Sequence, residues 1–96
     1  MCYIMIKSFK HKGLEKFFLI EDTAKINAEH IKRLKQLLTS INSADFVEDL
    51  NLPGYNLHQL KGNRQEIWAI TVRANWRITF KFEDGNAYIL DYEDYH

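Results

Sequence analysis

Ninety-six residues, 46% hydrophobic and 14% aromatic, specify one folded domain with a single core, and disorder is excluded on composition. The formal net charge of zero excludes a nucleic-acid binder that works by bulk charge, and no apolar run reaches the length of a membrane span. Cys2 is the lone cysteine, so no internal disulfide can form and a reducing, cytoplasmic setting is the expectation. Charge is nonetheless uneven. Residues 1–48 hold eight Lys or Arg against six Asp or Glu, and residues 49–96 hold five against seven, so any phosphate-binding surface must be a local patch.

In chain order, Tyr3 to Phe9 reads as a first strand. Lys12 to about Ile20 reads as a short helix with Leu14, Phe17 and Phe18 on its apolar stripe. Asn27 is a good N-cap for a longer helix from Ala28 to about Ser40. There Ile31, Leu34, Leu37, Leu38 and Ile41 recur at helical spacing, and Lys32, Arg33, Lys35 and Gln36 fill the outward side. Ala44 to Leu50 supplies a further helical turn, which Asn51-Leu52-Pro53-Gly54 breaks. Tyr55 to Leu60 is a short strand, followed by a loop tip, Lys61-Gly62-Asn63-Arg64, that carries two cations.

The last third organises the rest. Trp68 to Val72 leads into Asn75 to Phe82; a turn at Glu83-Asp84-Gly85-Asn86 follows, then Ala87 to His96. Asp-Gly or Gly-Asn between alternating apolar runs is a strong hairpin signal. The predicted fold class is α+β: an N-terminal strand and two helices packed on a small, mostly antiparallel sheet. A two-residue loop at Asp84-Gly85 sets Arg77 opposite Tyr92, Asn75 opposite Asp94 and Arg73 opposite His96. A loop at Gly85-Asn86 sets Arg77 opposite Asp94 and Asn75 opposite His96. Either way Asn75, Arg77, Tyr92, Asp94 and His96 gather on one face, and a one-residue slip would scatter them.

A guanidinium, an amide, a carboxylate and an imidazole so gathered suit phosphodiester chemistry. One group takes a proton from a hydroxyl, another protonates the leaving oxygen, and a cation stabilises phosphoryl charge. His58, in the short strand, is a second acid–base candidate, and Lys61 with Arg64 a possible phosphate clamp. Lys7, Lys10, Lys12, Lys16, Lys32, Arg33 and Lys35 form a basic surface, a pattern that also describes an ordinary solvated helix face. His11, His30, His58 and His96 lack zinc-type spacing, and neither a Gly-rich phosphate loop nor a serine-nucleophile motif is present, so no metal or cofactor is expected.

Four stretches closely resemble the HigB toxins of the RelE/ParE superfamily: Ile6 to Leu14, Leu60-Lys61-Gly62, Val72 to Phe80, and the closing Tyr92-Glu93-Asp94-Tyr95-His96. The likeness runs from about Met5 to the end. It implies a microbial-ribonuclease fold, with helices on a curved sheet whose concave face holds the site. It also implies ribosome-dependent cleavage of messenger RNA at codons in the A site of the 30S subunit, by metal-independent attack of the RNA 2′-hydroxyl. Carried over by motif, His58, Lys61, Arg77, Asp94, Tyr95 and His96 would be catalytic, with Asp94 or His96 as base and His58 or the remaining partner as acid. Asn75, Arg73, Tyr92, Lys10 and Lys12 would contact RNA. The implied partner is a HigA-like helix-turn-helix antitoxin, with operator DNA reached only through that complex. The competing expectation is a gyrase-inhibiting relative in the same superfamily, without nuclease activity.

Overall fold

The computed structural model describes residues 5–64 and 66–94. The first helix, α1 (Lys12–Ile20), spans the predicted range, and the His11 ring caps it by accepting from Leu14 N–H at 2.9 Å. Glu21 ends it in the left-handed region, returning its N–H to the last-turn carbonyls. Asn27 caps as expected, but the first turn, Ala28–His30, is a tighter 3-10 turn that runs into α2 (Ile31–Ser43). Another 3-10 turn, Val47–Leu50, follows.

Four strands make one antiparallel sheet in sequence order: β1 (His58–Gln59), β2 (Ile67–Arg73), β3 (Trp76–Glu83) and β4 (Asn86–Asp94). Both helices bury their stripes on one sheet face. Leu14, Phe17, Leu34, Leu37, Leu38 and Ile41 pack there against Ile70, Val72, Ile78, Phe80, Leu90 and Tyr92. The expected first strand is reduced, among the described residues, to two parallel bridges from Ile6 and Phe9 to β4. At its start the Asn42 side chain on α2 accepts from Met5 and Ile6 N–H at 2.8 and 3.3 Å. No described helix is long and apolar enough to cross a membrane.

The register differs from expectation, and the reason is a single residue. Next to the turn, Glu83 pairs with Asn86 and Lys81 with Tyr88, as an Asp84-Gly85 loop requires. Ile89 then bulges out with φ 49°, its N–H held at 2.8 Å by Ser8 Oγ. Beyond the bulge Thr79 pairs with Asp91, Ile78 with Tyr92, Arg77 with Glu93 and Trp76 with Asp94. Arg77 therefore faces Glu93, not Tyr92 or Asp94. Tyr92 goes into the core and is withdrawn from the RNA-contacting set. Asp94 stands on the opposite side of the pleat from Arg77. The expected pairings of Arg73 and Asn75 with His96 lie outside the described residues. So do Tyr95 and Cys2.

Candidate active site

The helix-free face of the sheet carries two polar rows. Cross-strand pairing aligns His58, Ala69, Thr79 and Asp91 in one, and Thr71, Arg77 and Glu93 in the next. At the β2–β3 end, a second register shift and a positive φ at Ala74 bring Asn75 to the rim. The result is a cleft of about 280 Å³ lined by Asn56, His58, Thr71, Ala74, Asn75, Trp76 and Arg77.

Each wall is fixed by a specific interaction. Asn56 sits at φ 50° and turns its carbonyl onto His58 Nδ1 at 2.8 Å. Nδ1–H donates, so in the neutral ring Nε2 carries the lone pair. Arg33, expected on the outward basic surface, is structural instead: its Nη2 donates to Gly54 O at 2.8 Å and Thr71 O at 3.2 Å. Its guanidinium also lies 5.0 Å from the centre of the Tyr55 ring. These contacts tie the strand bearing His58 to β2. Opposite, the Arg77 side chain is only 14% exposed, and its Nε donates to Glu93 Oε1 at 3.1 Å. Arg64 Nη2 donates to the same oxygen at 3.3 Å.

Behind the Trp76 wall lies a buried aromatic group. Trp76 and Tyr92 are 4.7 Å apart between ring centres, and His30 meets both rings edge-on. His30 Nδ1 and the Tyr92 hydroxyl share a hydrogen bond of 2.5 Å. Burial holds the His30 imidazole below its usual range, with Glu29 opposing and Arg73 adding to the shift. Burial pushes the Tyr92 phenol up, opposed by a hydrogen bond from the Asn27 backbone.

Of the remaining site expectations, Lys61 is exposed in the loop after β1 and does not line the cleft. Arg73 is exposed beside the rim, 3.6 Å from Glu29. Lys10 and Lys12 line a separate basic cleft of about 480 Å³ at the start of α1, together with Lys16 and Lys25. Gly13 lets Lys25 pack close against the start of α1, since a Cβ there would lie 2.3 Å from Lys25 Cβ. Asn56, Glu93 and Lys25 carry no sequence signal for the places they take in these clefts. Glu93 was hidden by the bulge, and Asn56 acts through its backbone.

Residues 7–96 match a family model described as the RelE-like toxin of type II toxin-antitoxin system HigB. The chain belongs to the HigB toxin family. It is 53% identical over 92 residues to Endoribonuclease HigB of Proteus vulgaris, an alignment covering 96% of this chain and all of that relative. A type II toxin has an antitoxin partner, and this HigB-family chain is therefore one half of a pair. Its α+β architecture of two helices on an open antiparallel sheet is consistent with RelE-like toxins. Within that frame His58, Asn75 and Arg77 meet in one cleft, whereas Asp94 and Lys61 stand outside its lining.

Proposed function

We propose that this toxin is a ribosome-dependent endoribonuclease that cuts messenger RNA at A-site codons in the cytoplasm and so arrests translation. The observation that carries this reading is the cleft itself, where a tautomer-fixed imidazole and an anchored guanidinium share one phosphate-sized space. The RNA 2′-hydroxyl attacks the adjacent phosphorus; its proton leaves to a base, the P–O5′ bond breaks, and the 5′ oxygen takes a proton from an acid. The products are a 2′,3′-cyclic phosphate and a 5′-hydroxyl, and no step is assigned to a metal. His58 Nε2 serves one proton transfer, and the other falls to the closing segment through His96, since Asp94 lies across the pleat from Arg77. Arg77 stabilises charge on the phosphoryl oxygens, with Lys61 as an accessory cation. Asn75 and Tyr95 position the nucleotide, and Arg73 adds a backbone contact at the rim.

The lysine cleft at α1 suits ribosomal RNA, whose fixed phosphates a local patch can match despite zero net charge. The partner antitoxin is a HigA-like helix-turn-helix protein, and operator DNA is bound only through the complex. Primer extension on messenger RNA programmed into purified ribosomes tests the reading. Cleavage by the wild-type chain should be lost in Arg77→Ala and His58→Ala. Intact transcripts together with gyrase-dependent DNA breaks in expressing cells would restore the gyrase alternative, which the nuclease name of the Proteus relative does not favour.

A further inference from the structure

We infer that Glu93 is a positioning residue for cleavage, holding Arg77 at one wall of the cleft while Arg64, outside the lining, shares the same carboxylate. The inference rests on the nuclease reading above. One carboxylate oxygen accepts from both guanidinium groups, at 3.1 Å from Arg77 Nε and 3.3 Å from Arg64 Nη2. Anchoring at Nε matters geometrically. An arginine side chain has several rotatable bonds, and fixing the Nε edge sets the plane and heading of the guanidinium before substrate arrives. The Arg77–Glu93 contact is also sheltered, with side chains 14% and 29% exposed, whereas Arg64 is 45% exposed. Solvent therefore screens the Arg77 contact least.

Charge gives a second reason. Two guanidinium groups on one carboxylate repel each other, and without Glu93 the more exposed Arg64 would swing away while Arg77 would lose the contact that sets its heading. With Glu93 present the trio keeps a net positive charge, so it still attracts a phosphate. Glu93 itself does not line the cleft, which separates its role from that of a general base. The device depends on register. Only because Ile89 takes up one extra residue does Glu93 arrive opposite Arg77.

The test is single-turnover cleavage on programmed ribosomes, read as rate at saturation and half-saturating ribosome concentration, with thermal midpoints measured in parallel. Glu93→Ala should lower the saturated rate on the order of 10- to 100-fold, the scale of a misplaced catalytic group. Half-saturation should stay unchanged or fall, because a negative charge leaves an RNA-facing surface. Glu93→Gln keeps an acceptor oxygen and should restore most of the rate. A residue important only for folding would shift the midpoint and leave the rate per folded molecule unchanged. If Glu93→Ala does not fold, Glu93→Asp, one methylene short, should show the same loss of rate. A saturated rate equal to the parent's would overturn the inference, and so would a faster one, which would make Glu93 a competitor of the phosphate. The wild-type chain and Arg77→Ala serve as anchors: intact transcripts with the first would mean that the nuclease reading has failed, and normal cleavage by the second that Arg77 is not the site's cation, in each case independently of the Glu93 result.

Discussion

Replacing Tyr92 by Phe separates the core role of this residue from the RNA contact its sequence position suggested. The substitution removes one oxygen and leaves the ring against Trp76 and His30. The lost oxygen is the partner of His30 Nδ1, on a histidine only 2% exposed, so a buried nitrogen is left without that hydrogen bond. Orphaning a buried polar group costs about 1–3 kcal/mol, and a central value of about 2 kcal/mol is reasonable for this short, enclosed contact. For a domain of this size that corresponds to a fall in melting temperature of roughly 8–16 °C. Calorimetry or circular dichroism gives the midpoint, and ribosome-programmed cleavage below the transition gives activity per folded molecule. The expected pattern is a lowered midpoint with near-normal cleavage. A variant that melts like the parent but no longer cuts would place the hydroxyl on RNA and refute the argument.

Three other outcomes follow from the same geometry. Because the folded His30 pKa lies below its ordinary 6.5, the unfolded chain takes up a proton that the folded chain resists, so stability is complete above pH 6.5 and falls on acidification. The loss should approach about 1.4 kcal/mol per pH unit below 6.5 until the folded imidazole titrates, and urea melts of His30→Asn should lack that share of the slope. Gly13→Ala forces a methyl to within 2.3 Å of Lys25 Cβ and should cost about 1–3 kcal/mol, read by thermal unfolding. Arg33→Met deletes two charged hydrogen bonds that tie the 54–58 segment to β2; it should lose about 2 kcal/mol and also slow cleavage, since His58 is carried on that segment.

Periodicity made the helices and the core legible. The stripes Leu14-Phe17 and Leu34-Leu37-Leu38-Ile41 can be satisfied in only one way; the first helix spans the expected range, and the second carries its stripe as expected but starts and ends about a turn later than predicted. The hairpin turn was readable to within one residue, as Asp84-Gly85 or Gly85-Asn86, and the structure takes the first, with both residues at positive φ. What escaped was one residue of slack further along β4. Ile89 and Leu90 are adjacent and both apolar, and nothing in their chemistry says which turns inward; in the fold Leu90 is buried and Ile89 is 45% exposed. That ambiguity exchanged Glu93 for Tyr92 and Asp94 opposite Arg77. Arg33 was misjudged for a related reason. A long cationic side chain near the edge of a helix stripe can snorkel to solvent or reach a carbonyl, and only tertiary structure decides.

The Asn42 amide that closes over Met5 and Ile6 bears on how this toxin can be restrained. Beside β4 the amino-terminal segment occupies one border of the sheet, with its Met5 and Ile6 amides taken by Asn42, and the other border is a strand of two residues. An inhibitor seeking to extend the sheet by adding a strand at Met5 and Ile6 would first have to displace the Asn42 amide.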